Sequence, residues 1–273
     1  VIFLTATVIQ GRLDSSFPIL HTIEPRYYGH HRSFLDQHCI RDSFTNKVVG
    51  WRNSEKVGKL LEKHSISHTF REAYGEKNVV YIPVSIELDP KHRKAYEEFE
   101  TLATLELDDE SVLSATEMGV HTIRCRQLLA CPELLGLKIA EIGKDLWLFE
   151  NILSGQVNRV VIFTSIRGEQ ERVFKLVSEK GFTVELINGT VSGEKRVKID
   201  EAFRRGEVQV LIASPITAGV GYNWSLMDVC IFLTPDYLDS SFSQAVARGI
   251  RGVREIALPV YITQYQKSIE QRV

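Results

Sequence analysis

From Arg159 to Thr263 the chain alternates short apolar runs with longer amphipathic stretches, and few folds accommodate that alternation. RVVIF (159–163), TVELI (183–187), VQVLIA (208–213), VCIFL (229–233) and LPVYIT (258–263) carry little polar interleaving, as strands buried on both faces require. Between them lie a segment after Gly168 with Val173, Phe174 and Val177 at helical spacing, the amphipathic SGEKRVKIDEAFRR (192–205), and a helix around SSFSQAVARGIRG (240–252). Ser192 stands where an N-cap belongs, and Val197, Ile199, Ala202 and Phe203 supply a buried stripe. Strands alternating with helices of this length predict an α/β fold, a parallel sheet with helices on both faces. Such sheets place ligands at the loops after strand C-termini.

The preceding residues follow other patterns. Residues 86–150 have helical periodicity in HRKAYEEFETLATLEL, HTIRCRQLLACPELLGL and KDLWLFENILS, which predicts a helical appendage. Residues 21–85 are punctuated by Pro25, Gly29, Gly50 and Gly75 between short helical pieces such as NSEKVGKLLEKH, and read as a connector or insertion. VIFLT at Val1–Thr5 reads as a buried strand, so the stretch in hand is expected to be a fragment whose missing N-terminal neighbour pairs with it.

Charge and cysteine usage narrow the class. The near-neutral balance of 33 basic against 35 acidic residues hides an asymmetry: residues 151–273 carry 15 basic and 13 acidic, while 87–117 carry ten acidic and three basic. A polyanion would avoid the latter, which reads as a solvated acidic face, and favour the former. The four scattered cysteines have no CxxC pair, and no apolar run is long enough to span a membrane. The chain therefore reads as an intracellular protein, cytoplasmic or nuclear, with no membrane partner. His64 and His68 in HSISH have the i, i+4 spacing of a zinc pair but lack the adjacent glutamate of HExxH, so no metal site is expected.

Two loops have distinctive chemistry. ASPITAGVGYNW (213–224) places Gly219 and Gly221 after a strand, where backbone amides can approach an anion. QAVARGIRG (244–252) puts Gln244, Arg248 and Arg251 at steps of four and three. On one helix face two arginines repel by some tenths of a kcal/mol, an arrangement that suits a phosphate ligand.

In order, LTATVIQ (4–10), VIFTS (161–165), INGTVS (187–192), the glycine loop and QAVARGIRG resemble the late motifs of Swi/Snf-type superfamily-two DNA helicases and translocases. That family typically reads LTGTPIQN, VLVFSQ, IDGSTS, STKAGGxGLNL and QAxDRAHRIGQ. PVSIELDPKHRKAYEEF and RCRQLLACPELLG resemble the family's PVELSPEQRELYE and LRQIANHPSL, so the likeness spans nearly the whole chain.

The resemblance implies that residues 1–20 are the end of a first RecA-like lobe, otherwise missing, and that residues 151–273 form a RecA-like second lobe that works with ATP and Mg2+ on double-stranded DNA. It implies that Arg248 and Arg251 act as arginine fingers, with Gln244, Gly219, Gly221 and Asn223 beside the nucleotide. Ser165, Gly189, Thr190, Ser214 and Tyr237 would face the DNA backbone, and Thr5 and Thr7 would couple DNA binding to hydrolysis. Pro215, Ile216, Ala218 and Gly252-Val253-Arg254 depart from the family pattern. The short spacing between motifs favours a compact bacterial, phage or large-virus member over a nucleosome machine.

No segment reads as a Walker loop or a DExH pair, and neither Gly143-Lys144-Asp145 nor Asp108-Asp109-Glu110 replaces them. The stretch is thus expected to be inactive alone, its magnesium ligands lying in the missing lobe. The competing readings are a non-catalytic helicase-like DNA-binding or scaffold module of a viral transcription or restriction assembly, and an unrelated doubly wound protein.

Overall fold

The apolar runs of the second half pair into one parallel sheet, joined by a strand from the connector. The computed structural model describes residues 1–272 apart from 6, 7, 10, 77, 108–110, 116, 156, 219, 220 and 236–238. It divides into two units, residues 1–75 and 76–273.

In the second unit the strands are β1 (Val79–Ile86), β2 (Val160–Thr164), β3 (Val184–Ile187), β4 (Val210–Ala213), β5 (Val229–Thr234) and β6 (Leu258–Tyr265). Among the described residues they form a six-stranded sheet in the order β1-β6-β5-β2-β4-β3, every pairing parallel. The helices are α1 (Pro90–Leu102), α2 (Met118–Ala130), α3 (Gly143–Leu148), α4 (Arg167–Glu179), α5 (Gly193–Arg205) and α6 (Asp239–Ala247).

Because strand side chains alternate faces, the sheet has two separate cores. Val161, Phe163, Leu211 and Phe232 pack with Ile199 and Phe203 of α5 and Ala245 and Val246 of α6. Val160, Ile162, Val210, Ile212 and Ile231 pack with Val173 and Val177 of α4 and with Leu148 and Ile152. Each fully buried large apolar side chain contributes roughly 1.5–3 kcal/mol. The expected α/β sheet with helices on both faces is what forms, and Ser192 caps α5 as anticipated, accepting from the Lys195 N–H at 3.3 Å. A third core, around Tyr96, Phe99, Leu128 and Leu129, joins α1 and α2 to the ends of β1 and β6.

Several expectations are corrected. The boundary at 85/86 cuts through β1, which belongs to the sheet; Pro83 is accommodated because β1 is an edge strand with β6 as its one neighbour. The helix expected through Leu107 stops at Leu102, where Ala103 adopts a left-handed conformation. Thr104–Glu106 then pairs antiparallel with Val112–Ser114. Pro132 ends the second helical stretch in a short 3-10 turn, Pro132–Leu135. Val1–Thr5 forms no strand among the described residues, and Val1, Ile2 and Leu4 are exposed.

In the first unit, Phe17–Ile23, His31–His38 and Ser54–His64 are helices around Leu20, Phe34, Val57 and Leu60. Cys39–Arg41 and Val48–Trp51 form a small antiparallel ribbon. The helix stops at His64, so His64 and His68 do not share a helical face: His64 pairs with Glu24 at 3.0 Å and His68 lies 4.0 Å from Glu72. Among the described residues no group of three or more His, Cys, Asp or Glu could hold a metal, and no helix is long and apolar enough to cross a membrane. All four cysteines are unpaired and buried.

Candidate functional site

Parallel pairing sends four loops out of one edge of the sheet. Thr164 pairs with Thr234, Phe163 with Ala213 and Ile187 with Ala213, so Ser165, Asn188–Thr190, Ser214 and Pro235 leave β2, β3, β4 and β5 side by side. The structure therefore brings together Ser165, Gly189, Thr190 and Ser214. Ser214 is fixed through its backbone N–H, which donates to the Ile187 carbonyl at 3.1 Å and starts the helical turn Pro215–Ala218. Tyr237, Gly219 and Thr7 lie outside the described residues. Thr5 is exposed and belongs to the first unit.

Ser165 lines a groove of about 670 Å³ between α2 and the start of α4, with Ile123, Arg126, Gln127, Leu134 and Arg167 among its walls. The Ser165 hydroxyl oxygen is buried and has no hydrogen-bond partner among the described residues. The first turn of α4 lacks a side-chain cap, which leaves backbone N–H groups facing outward at a positive helix end. Gly168 permits this closeness: a Cβ there would stand 2.7 Å from the Cys131 sulfur. Arg126 donates to the Pro235 carbonyl at 2.6 Å and so joins the groove to the loop after β5.

The first turn of α4 also knits the strand ends together. Glu169, wholly buried, accepts from the Thr164 hydroxyl and, at 3.0 Å, from the Thr234 hydroxyl. Burial raises its pKa, with the nearby Lys144 and Arg172 charges opposing. Arg172 forks onto Asp145 at 2.9 and 3.1 Å; against the cost of burial, the charges of Asp145 and Glu169 hold its guanidinium above the ordinary value. The Gln170 amide donates to the Thr164 carbonyl at 2.7 Å, and Asn188 donates to Gln170 at 2.9 Å. Both the N–H and the hydroxyl of Thr190 point at the Asn188 side-chain oxygen, at 3.0 and 2.7 Å.

The arginine pair is placed differently from the sequence expectation. Helix α6 ends at Ala247, so Gln244 is helical, Arg248 sits in the closing turn and Arg251 lies beyond it; the three do not share a helix face. The helix stops because Gly249 is wedged where a Cβ would meet Met227 and Leu258 within 2.7 Å, while the Arg248 carbonyl accepts from the Trp224 N–H at 2.9 Å. Arg248 is nonetheless buried, 8% exposed, and approaches the Tyr222 carbonyl at 3.5 Å, whereas Arg251 is exposed. Burial lowers the Arg248 pKa, and the positive charge of Arg251 lowers it further. In the loop, Gly221 has φ +88° and the Asn223 side chain accepts from the Ser225 N–H at 3.3 Å.

Two further side chains belong to this edge and are named by no motif. Arg196 reaches the Gly189 carbonyl at 3.4 Å, its Nε buried without an acceptor among the described residues. Its spacing of three and seven from Ile199 and Phe203 puts it on the inward face of α5, a signal legible in the sequence. Trp224, wholly buried, stacks on Tyr222 at 5.0 Å and donates to Asp200 at 2.8 Å, pinning the glycine loop to α5. Lys144 is buried in an ion pair with Glu270 at 2.7 Å, so Gly143-Lys144-Asp145 is a structural element and no phosphate loop.

Residues 143–253 match the helicase conserved C-terminal domain. The chain is 23% identical to mouse chromodomain-helicase-DNA-binding protein 1-like over 92% of its length and 29% of that protein. A segment of 61 residues is 36% identical to the ATP-dependent RNA helicase dbp3 of Sclerotinia sclerotiorum, covering 22% of this chain and 10% of that one. The chain thus spans less than a third of the curated relatives it matches.

Among solved structures, the C-terminal part of the Fun30 ATPase domain superposes with a TM-score of 0.55 at 12% identity, covering 72% of this chain and 88% of that one. The Sulfolobus solfataricus SWI2/SNF2 ATPase core in complex with dsDNA also gives 0.55, at 17% identity, covering 98% of this chain and 58% of that one. The fold is RecA-like, and the resemblance to Swi/Snf-type superfamily-two helicases is borne out.

Proposed function

We propose, with residues 143–253 taken as the C-terminal domain of a Swi/Snf-type superfamily-two helicase, that this chain supplies the second lobe of a DNA-dependent ATPase that moves along duplex DNA. The observation that carries the reading is the convergence of four strand-end loops on one edge, with the Ser165 hydroxyl and Arg196 Nε left unpartnered there. Such donors suit phosphates, which position a nucleic acid without reading its bases. On this reading Ser165, Gly189, Ser214, Tyr237 and Arg196 face the DNA backbone, with Thr190 shaping its loop. The dsDNA bound by the Sulfolobus neighbour supports duplex as the partner.

The nucleotide reading rests on Arg248 and Arg251. Two arginines three residues apart, one buried and one exposed, suit the triphosphate of ATP with Mg2+, with Gln244, Gly219, Gly221 and Asn223 flanking it. The nucleotide supplies the phosphoanhydride bond; Arg248 and Arg251 neutralise charge on it, and Trp224 holds the turn that carries Arg248. The phosphate cradle and the magnesium ligands belong to a partner lobe, so this stretch alone binds nucleotide weakly and does not turn it over.

Duplex binding by the chain tests the reading. Log affinity should fall linearly with log salt, and Arg196→Gln should reduce the slope by about 0.9, one phosphate contact. Salt-independent binding, or none, overturns it. If duplex binds but the full-length protein shows no DNA-stimulated ATP turnover, the scaffold reading replaces the motor.

A further inference from the structure

The loop after β3 is held by a one-way relay of amides. The Thr164 carbonyl, fixed at the end of β2, accepts from the Gln170 amide nitrogen at 2.7 Å and so turns the Gln170 oxygen toward Asn188. That oxygen accepts from the Asn188 amide nitrogen at 2.9 Å, which turns the Asn188 oxygen toward Thr190. The Asn188 oxygen then receives both the N–H and the O–H of Thr190. Gln170 and Asn188 are buried, 2% and 5% exposed, whereas Gly189 and Thr190 are exposed. No member can flip its amide without setting two oxygens or two nitrogens against each other, so the direction of the whole relay follows from one strand carbonyl.

Two consequences follow for Thr190. Its donors are taken up inside the protein, so it does not donate to a phosphate. Its place is set from α4, an element on the other face of the sheet from α5.

We infer that Gln170 and Asn188 are positioning residues that latch the loop 189–192 in the form that presents Gly189 and Arg196 to a DNA phosphate. This rests on the DNA reading above. The Arg196 side chain reaches the loop at the Gly189 carbonyl, so its aim depends on where the latch holds that carbonyl.

The test uses the chain with a short duplex, and hydrogen exchange of the Thr190 amide without DNA. Gln170→Met and Thr190→Val should each weaken duplex affinity about fivefold, the worth of one hydrogen bond. The salt slope should not change, because no charge is removed. The double variant should be no weaker than either single one, since both break one relay, and Thr190→Ser, which keeps both donors, should bind as the parent does. The Thr190 amide should exchange slowly in the parent and faster in Gln170→Met.

Multiplying losses in the double variant, or Gln170→Met binding within twofold of the parent, overturns the latch. If Gln170→Met fails to fold, equal affinity of Thr190→Val and Thr190→Ser overturns it. Failure of the parent to bind duplex overturns the functional reading and this role together, and slow Thr190 exchange in the parent then identifies the DNA reading as what failed.

Discussion

The Lys144 ammonium and the Glu270 carboxylate meet at 2.7 Å with both side chains wholly buried, tying α3 to the turn that follows β6. Lys144 also donates to the Leu233 carbonyl at 2.6 Å, and Glu270 accepts from the Tyr265 N–H at 2.9 Å. Removing one partner strands a buried charge, so Glu270→Gln should cost roughly 3–5 kcal/mol in urea unfolding. The double variant Lys144→Met with Glu270→Leu should recover most of that loss. A single-variant cost under about 1 kcal/mol would contradict the arrangement.

Arg251 is exposed and Arg248 is buried, so the two should separate in stability measurements. Arg251→Ala should leave unfolding within about 0.5 kcal/mol of the parent. ATP turnover by the full-length protein should nevertheless fall by roughly 10³-fold. Normal turnover in that variant removes Arg251 from the fingers.

Trp224 joins the glycine loop to α5 through its indole and to the Arg248 turn through its backbone N–H. Trp224→Phe removes its hydrogen bond to Asp200 and should destabilise by about 1–2 kcal/mol, and Trp224→Ala by about 3–5 kcal/mol. Urea melts decide; equal costs for the two variants would mean the indole is not packed as described.

His92 gives a pH signature. It is buried, donates Nε2–H to the Leu128 carbonyl at 2.7 Å, and burial lowers its pKa below 6.5. A depressed folded pKa means that the unfolded chain takes up the proton first. The stability His92 contributes is therefore present above about pH 6.5 and lost as pH falls through the lower folded value. The limiting slope is about 1.4 kcal/mol per pH unit. Melting temperatures between pH 5 and 7 should fall less steeply with acid in His92→Gln, and an unchanged slope would place the titration elsewhere.

The lobe was legible where apolar runs and helices alternate, because strand parity and helical period act locally. β1 was not, since its Pro83 argues against a strand and its partner, β6, lies at the far end of the sequence. The end of α6 was misplaced because nothing local announces that Gly249 must pack on Met227 and Leu258. Motif order points to the strand-end serines, while Arg196 belongs to none of the motifs and stands among several charges of α5. The Thr164–Gln170–Asn188–Thr190 relay depends on amide orientations that arise only once two strands and a helix have met.

The pairing of β1 with β6 also imposes an order on synthesis. The ribosome delivers residues 79–86 long before residues 258–265, and β6 is the one strand of the sheet against which β1 is hydrogen-bonded. Until then Val80 and Tyr81 wait without a ladder. This closure spans most of the chain and should form late among the pairings of the lobe. A nascent chain stalled before Leu258 would carry an unpaired apolar strand, the kind of segment that chaperones bind.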